Sequence, residues 1–231
     1  MSEANETQQP EETTSAAAPQ SAAIQLTGLY AFKVGMSAVF AEGERVPVTV
    51  LKYEPMIVSQ LKTKESDGYE AVQVAFVPER ASQTNKAATS CLTKAGFENG
   101  AKYVRELRVE GMPEGVSIGQ KVSLDSLKKG DKVKITGLSR GRGFQGPVRR
   151  WNFNGGPASH GSGFHRKPGS VGNRTWPGRV MPGKRMAGHW GNETCTISGY
   201  QIVDVIPEES VLLVKGSVPG ARNSLIRLTK V

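Results

Sequence analysis

Two histidines, His160 and His165, flank a Gly-Ser-Gly-Phe sequence, and their type and spacing suggest acid–base chemistry. Two imidazoles beside a phosphodiester can serve as the general acid and the general base of RNA cleavage. Such catalysis also needs a carboxylate that orients the rings, or a bound metal ion. Residues 132–192 contain no Asp or Glu. The sequence therefore favours histidines that donate hydrogen bonds to phosphate or ribose, and a nucleic-acid-processing enzyme is the alternative.

A second chemical pattern, Gly141-Arg-Gly-Phe-Gln-Gly, matches the G-x-G-x-x-G sequence of dinucleotide-binding turns. A dinucleotide site also needs a helix after the glycines and an acidic residue about twenty positions later for the ribose. Pro147 follows the glycines, and the next acidic residue is Glu193. We therefore predict no dinucleotide. The glycines instead predict a close approach of the backbone to backbone or phosphate, with Arg140 and Arg142 as anion contacts.

Metal and disulfide chemistry have little support in the sequence. Neither cysteine belongs to a Cys-x-x-Cys pair, and a reducing compartment disfavours a disulfide between Cys91 and Cys195. One mixed metal site can be drawn, but its spacing matches no common motif; it would use His160, His165, His189 and Cys195. We predict no metal, no disulfide and no cofactor.

The segment that holds these residues is strongly cationic. Residues 132–192 carry twelve Lys or Arg, whereas the formal net charge of the whole chain is +9. The same segment contains all three His, all three Trp and fourteen of the 27 Gly. A stretch that is cationic, aromatic and flexible is typical of a polypeptide that lies against phosphates and stacked bases.

The composition indicates a structured RNA as the partner rather than DNA or a membrane. A helix that reads the DNA major groove needs unbroken helix formers, and here Gly or Pro recurs every few residues. Disordered Arg-Gly tails are repetitive, whereas residues 149–153 and 181–189 are not. No apolar run approaches about 18 residues, and the N-terminus resembles no signal peptide. We expect a cytoplasmic protein.

Short predicted strands precede and follow the cationic segment. Each ends at turn residues, and several alternate apolar and polar side chains; they lie at 29–40, 46–53, 56–63, 69–77, 103–109, 121–124, 132–138, 194–197, 201–206, 211–215 and 225–228. Strands so short and evenly spaced predict an antiparallel barrel or sandwich. One helix is predicted over 85–94, after Thr84 and with Gly96 as its C-terminal stop.

These elements predict three parts. Residues 1–23 are acidic and poor in large apolar side chains, which is typical of a disordered tail. Residues 24–135 and 193–231 form a barrel domain with a small αβ insertion at about 80–115. Residues 136–192 lack apolar periodicity and form a long loop; two arms of roughly 27 residues reach at most about 90 Å. Such a loop cannot bury itself, so its ordered form needs an outside partner.

Several sequence blocks in a fixed order resemble one family. They are Gly141-Arg-Gly-Phe-Gln-Gly, Arg149-Arg-Trp-Asn-Phe, Ser159-His-Gly-Ser, His165-Arg-Lys-Pro-Gly-Ser-Val-Gly, Pro177-Gly-Arg-Val, Gly183-Lys-Arg-Met-Ala-Gly-His and Gly191-Asn-Glu. Gly28-Leu-Tyr-Ala-Phe-Lys-Val-Gly-Met-Ser and Leu212-Leu-Val-Lys-Gly-Ser-Val-Pro-Gly-Ala extend the likeness, which covers about 24–231. Over this length the chain resembles ribosomal protein three of the bacterial large subunit.

The resemblance implies a fold, a partner and a location. Members of that family have a Greek-key barrel like that of translation factors, an αβ insertion and a long basic loop that enters the subunit. They bind large-subunit ribosomal RNA early in assembly, beside other proteins of the subunit, and the loop tip approaches the peptidyl-transferase centre. On this sequence the tip comprises Ser170, Val171, Gly172, Asn173, Arg174, Thr175 and Trp176. Asn173 occupies the position at which some bacterial members carry a methylated Gln.

The residues and the resemblance together predict a structural, non-enzymatic RNA-binding protein of the ribosome. The three Trp lie among Arg, Asn, Gly and Pro, which indicates stacking on bases or packing in an RNA groove. The predicted RNA contacts outside the tip are Arg140, Arg142, Arg149, Arg150, Trp151, His160, His165, Arg166, Lys167, Arg179, Lys184, Arg185, His189 and Trp190.

Overall fold

The computed structural model describes residues 26–41, 43–111 and 115–231. The predicted disordered tail, residues 1–23, lies outside the described residues. The strands are β1 Gly28–Ala41, β2 Glu44–Tyr53, β3 Met56–Lys62, β4 Ala71–Pro78, β5 Ala101–Arg108, β6 Lys121–Val122, β7 Lys132–Leu138, β8 Phe144–Gln145, β9 Gly188–His189, β10 Thr194–Ile206, β11 Val211–Lys215 and β12 Leu225–Lys230. The α-helices are α1 Lys64–Asp67, α2 Lys86–Leu92 and α3 Pro147–Trp151, and 3-10 turns lie at Ala81–Gln83, Thr93–Ala95 and Leu124–Ser126.

Six strands close into a barrel in the order β1, β12, β7, β10, β11, β2. Every neighbouring pair is antiparallel. On β7, Val133 and Ile135 are buried inside the barrel, whereas Lys132 and Lys134 are exposed. This alternation is what a strand with one covered face requires. The prediction of a mainly β, antiparallel fold is confirmed.

The predicted strands at 194–197 and 201–206 form one continuous strand, β10. Its pairing with β7 shifts register between Ile197 and Tyr200. Gly199 lies inside this irregularity with a φ of 83°, which a residue with a side chain rarely adopts. The glycine that suggested a break between two strands therefore marks a bulge within one.

A second sheet, in the order β5, β4, β3, β6, packs against the outside of the barrel. The contact is aromatic: Tyr30 and Phe32 of β1 meet Phe76 of β4 and Tyr103 of β5, with ring centroids 5.4 to 6.1 Å apart. One continuous buried cluster contains residues of both sheets. On the other face of the second sheet, Ala75 of β4 packs in a smaller cluster with Leu92, Ala95 and Phe97, which belong to α2 and the residues that follow it.

The assignment of β3 and β4 to the barrel was wrong. Both strands belong to the second sheet, so the inserted unit is larger than the predicted 80–115. On β4, Val72 and Val74 pack in the cluster shared with the barrel, while Ala75 packs on α2. Apolar residues show that a strand is covered, but not which sheet or helix covers it, because the covering element is distant in sequence.

The predicted helix at 85–94 is confirmed as α2 and the 3-10 turn that follows it. The side chain of Asn85 caps the N-terminus by accepting a hydrogen bond from the backbone N–H of Ala88, at 2.8 Å. Gly96 ends the turn with a φ of 88°, as the C-terminal stop predicted. None of the described helices has the length and apolar character needed to cross a membrane.

Candidate nucleic-acid interface

The finger, defined here as residues 139–193, leaves the barrel after β7 and returns at β10. These two strands pair directly, with Leu138 opposite Thr194. At the root, the backbone N–H of Ser139 donates to the carbonyl of Glu193 at 2.8 Å, and the N–H of Glu193 donates to the Ser139 hydroxyl at 3.2 Å. Both ends of the finger are therefore held side by side on a closed barrel.

The two arms remain paired beyond the root. The N–H of Arg142 donates to the carbonyl of Trp190 at 2.9 Å, and the N–H of Trp190 donates to the carbonyl of Gly143 at 3.0 Å. The short strands β8 and β9 continue this ladder, with Phe144 opposite His189. The predicted irregular loop therefore begins as a two-stranded ribbon.

The closest backbone approach in this ribbon is at Gly191, on the returning arm. Its φ is 76°, and a Cβ placed there would lie 2.1 Å from the carbonyl oxygen of Arg140. At Gly141 the nearest atom to such a Cβ is 3.5 Å away, and at Gly143 nothing lies within 4 Å. Within the described chain, the close backbone contact is therefore at Gly191 and not at the G-x-G-x-x-G glycines, whose approach to phosphate stays a prediction.

Helix α3 is a second departure from the expected irregular loop. Gly146 precedes it, and Pro147 occupies its first position, where a missing N–H leaves nothing unpaired. Asn152 ends the helix with a φ of 59°. The last turn carries Arg149 and Arg150, and cations are favoured at that end of the helix dipole.

Side chains from α3 tie the outgoing arm to the returning arm. The indole of Trp151 and the guanidinium of Arg150 both donate to the carbonyl of Met186, at 2.8 and 3.0 Å. The guanidinium of Arg150 lies 4.9 Å from the Trp151 ring centroid, and that of Arg185 lies 5.6 Å from it. Such cation–π contacts add to the cross-arm hydrogen bonds.

The three tryptophans have different surroundings. Trp190 lies near the guanidinium groups of Arg142 and Arg149, at 4.8 and 6.0 Å from its ring centroid. Trp151 is 36% exposed, whereas Trp176 at the tip is 85% exposed. Trp176 is therefore the ring with the most surface free for stacking, while Trp151 and Trp190 also help to hold the finger together.

The histidine pair lacks the partners that catalysis needs. Both imidazoles are exposed. At His165 it is the backbone carbonyl that accepts a hydrogen bond, from the N–H of Gly156 at 2.6 Å. In the described parts of the chain, neither imidazole has a carboxylate partner, and no three His, Cys, Asp or Glu are grouped to hold a metal. Cys91 and Cys195 are not bonded to each other.

The predicted site residues lie along the exposed surface of the finger. Arg150 and Trp190 are half-buried, and the tip residues 170–176 are all exposed. The remaining predicted contacts are exposed: Arg140, Arg142, Arg149, Trp151, His160, His165, Arg166, Lys167, Arg179, Lys184, Arg185 and His189. The structure brings two groups of them together, around Trp151 and around Trp190.

No ion pair among the described residues neutralises the positive charge of the finger. The ion pairs found among the described residues all lie outside it; they join Lys52 to Glu54, Lys62 to Asp67 and Glu106, Lys64 to Glu70, and Lys230 to Asp131. Unpaired cations crowded on one projection repel each other. A polyanion lying along the finger would remove that repulsion.

The sequence pattern missed one cation at the root, Lys33. It occupies an inward position of β1, two residues after the fully buried Ala31, and is only 7% exposed. Its ammonium donates to the carbonyls of Val218 and Gly220, at 2.6 and 3.2 Å. Burial, and then the nearby positive charge of Arg140, lower the pKa of Lys33. The sequence signal for this residue was a lysine at a position of β1 where the alternation predicts an apolar side chain.

Comparisons with known proteins agree with these features. A family model described as "Ribosomal protein L3" matches residues 115–210. The chain is 58% identical over 231 residues to "Large ribosomal subunit protein uL3" of Bdellovibrio bacteriovorus, covering all of both chains. The uL3 protein of Thermotoga petrophila is 48% identical over 194 residues, 84% of this chain and 92% of that relative. That of Geobacter metallireducens is 44% identical over 202 residues, 87% of this chain and 95% of the relative.

The family model covers the cationic finger together with β7 and β10 on either side of it, and the relative from Bdellovibrio bacteriovorus covers the whole chain. A relative with more than half of its residues identical over the full length shares its fold and family. The chain therefore belongs to the ribosomal protein L3 family.

Proposed function

We propose that this chain is a structural, non-enzymatic constituent of the large ribosomal subunit that binds large-subunit ribosomal RNA through its finger. The observation that carries the proposal is the exposed, unpaired positive charge of the finger, rooted in a closed barrel. The relatives support it, since they are named as large ribosomal subunit proteins. On this proposal the chain works in the ribosome, in the cytoplasm, beside other proteins of the subunit.

The arms of the finger neutralise phosphates of RNA helices that would otherwise repel each other. Exposed cations such as Arg166 and Lys167 have no ion-pair partner in the described residues and are available for phosphates. Each phosphate contact releases condensed counterions, so binding weakens steeply with salt. A protein that joins RNA helices in this way is useful early in subunit assembly, before other contacts hold those helices together.

The tip, residues 170–176, approaches the peptidyl-transferase centre in this proposal. Its support is positional: these residues lie in the part of the finger between Trp151 and Met186, beyond the cross-arm contact, and all are exposed. Trp176 offers a ring for stacking, and Arg174 is the cation of the tip. The hydroxyl of Ser170 donates to the carbonyl of Gly172 at 3.0 Å, which gives the tip a local turn.

The barrel is the rigid base of the finger. We assign it to the Greek-key type found in translation factors. Support comes from the strand order, because β2 and β7 are consecutive barrel strands in the chain but are not neighbours in the barrel. The resulting division has a globular part at 24–135 and 193–231, made of the barrel and the second sheet, and an RNA-binding loop at 136–192.

The alternative, an RNA-processing enzyme that uses His160 and His165, has less support. Acid–base cleavage needs rings held in a defined orientation, and neither imidazole has an orienting carboxylate among the described residues. Incubation of the purified chain with structured RNA should yield no cleavage. Cleavage that disappears in a His160→Ala, His165→Ala variant would instead establish the enzyme.

The proposal is tested by binding to ribosomal RNA and by sedimentation. The chain should remain with large subunits after a high-salt wash, and the purified protein should prefer large-subunit RNA to an unrelated structured RNA of equal length. A variant with Arg166→Gln and Lys167→Gln should bind more weakly. The matched control, Lys52→Gln and Lys121→Gln, removes two charges from the barrel domain and should bind normally. Equal binding by both double variants would contradict an interface on the finger.

A further inference from the structure

Two cations converge on one loop where the finger joins the barrel. Lys33 donates to the carbonyls of Val218 and Gly220, and the Nε of Arg140 donates to the same Gly220 carbonyl at 3.3 Å. An ammonium has three N–H groups, and the loop uses two of them. One donor of a lysine that is only 7% exposed therefore has no acceptor among the described residues.

These cations line a cavity of about 520 Å³ at the root of the finger, termed here the root cavity. Its volume falls in the range of about 300 to 1,000 Å³ that is usual for ligand sites. Arg142 is a third cation on its wall, and Met36, Trp190 and Pro219 supply apolar surface. The cavity thus combines a cationic region with a wall that suits a flat, apolar group.

Within the part of the chain that the structure describes, no carboxylate lies within ion-pair distance of the cationic region. Glu193 also lines the root cavity, but the ion pairs of the described residues include none between it and Lys33, Arg140 or Arg142. Lys33 is buried while Arg140 is exposed, and a buried cation beside a like charge is costly unless a counter-charge is bound. A bound anion would offset both the desolvation of Lys33 and its repulsion by Arg140.

We propose that the root cavity binds one phosphate of large-subunit ribosomal RNA, held by Lys33 and Arg140, with the attached nucleoside against the Trp190 and Pro219 wall. This inference rests on the proposed function. RNA is the favoured source of the phosphate because the cavity opens beside the finger, whose exposed cations follow the same polyanion. The barrel then contributes directly to RNA binding through a residue of β1.

The test is phosphate ethylation interference with the full-length chain and large-subunit ribosomal RNA. Ethylation neutralises one phosphate at a time, and wild-type protein should reveal a set of phosphates whose ethylation blocks binding. In Lys33→Met the interference should disappear at one phosphate and persist at the others. Arg140→Gln should lose interference at that same phosphate. Each variant should also make the log–log salt dependence shallower by about 1.

Lys121→Met is the matched control, because Lys121 is exposed on β6 of the second sheet and does not line the root cavity, and it should keep the complete interference pattern. Lys33→Met leaves two carbonyls without their donor, so its fold is checked by thermal unfolding; if it fails to fold, Arg140→Gln decides the question. An unchanged pattern in the folded variants, or uniform weakening at every phosphate, would overturn the proposal. Failure of the wild-type chain to bind ribosomal RNA would refute the proposed function instead.

Discussion

The indole N–H of Trp151 donates a hydrogen bond to the carbonyl oxygen of Met186, 2.8 Å away and 35 positions later in the chain. Arg150 donates to the same oxygen, so one backbone group of the returning arm holds two side chains of the outgoing arm. The contact divides the finger into a part next to the barrel, in which the two arms are cross-linked, and an outer part that ends at the exposed tip.

Trp151→Phe should loosen the arms without unfolding the barrel. The substitution keeps an aromatic ring beside Arg150 and Arg185 but removes the donor to Met186, a loss of about 1 kcal/mol, or about fivefold in local opening. Limited trypsin digestion should cut the free wild-type chain first between Arg140 and Lys184, and should cut the variant several-fold faster there. Trp176→Phe, at an exposed ring, is the control and should match wild type. First cleavage in the barrel would contradict the division.

Binding to ribosomal RNA should depend steeply on salt. If about half of the cations in residues 132–192 meet phosphates, the log–log slope should be on the order of −4 to −6. Arg149→Ala should flatten the slope by about 1, because its guanidinium is exposed. Arg150→Ala should flatten it less, because its guanidinium already donates to Met186. Equal effects of the two substitutions would show that the cross-arm contact does not persist on RNA.

Tip and arm substitutions should have opposite effects. Trp176→Ala removes one exposed stacking ring, worth roughly 1 to 3 kcal/mol, too little to release a protein held by many phosphate contacts. It should change chemical or antibiotic footprints at the peptidyl-transferase centre and leave the yield of subunits nearly normal. Lys184→Ala with Arg185→Ala should instead slow assembly first. Identical behaviour of both variants in the two assays would mean that the finger acts as a uniform RNA clamp.

Gly191→Ala should disturb the root of the finger. The added methyl group would lie 2.1 Å from the carbonyl of Arg140, on a residue whose φ is 76°. Strain from the positive φ alone costs about 1 to 2 kcal/mol, and the backbone clash adds to it, so thermal unfolding should begin at a lower temperature. Gly183→Ala is the control: its φ is 78°, but nothing lies within 4 Å of the new Cβ. A melting curve for Gly191→Ala that equals that of the control would contradict the tight root.

The second sheet should lose stability in acid through Glu106. Its carboxylate accepts a hydrogen bond from Tyr69 at 2.8 Å and pairs with Lys62 at 3.2 Å. The Tyr69 hydrogen bond, and then Lys62, hold the pKa of Glu106 below its ordinary value, although partial burial acts in the opposite direction. Because the folded pKa is the lower one, the stabilisation is present above the ordinary carboxyl pKa and is lost as the pH falls through the folded value.

Thermal unfolding between neutral pH and pH 3 checks this prediction. The midpoint of the wild-type chain should fall in acid, and that of Glu106→Gln should start lower and fall less. Glu54→Gln, which removes the carboxylate that pairs with the exposed Lys52, serves as the control and should follow wild type. If the unfolding midpoint of Glu106→Gln falls by as many degrees in acid as that of the wild type, Glu106 does not contribute to the acid sensitivity.

Most of the local architecture could be read from the sequence. Strand positions, the helix at α2 with its glycine stop, and the boundaries of the cationic segment all follow from side-chain period, turn residues and charge. These properties are local, since a strand alternates its faces every residue and a cap acts within one turn. The family was also accessible, because linked motifs such as Arg149-Arg-Trp-Asn-Phe occur in a fixed order.

Tertiary structure decided what those local elements contact. Sequence alone placed β3 and β4 in the barrel, left the finger without internal order and passed over Lys33 at the root. Each of these features depends on partners distant in the chain: Phe76 meets Tyr30, Trp151 meets Met186, and Lys33 meets Val218. Local patterns record that a face is buried or that a charge is present. Lys33 on β1 and the loop that contains Val218 become neighbours only when the barrel closes. Which groups meet is decided by the path of the whole chain, and a local pattern of residue types does not contain that path.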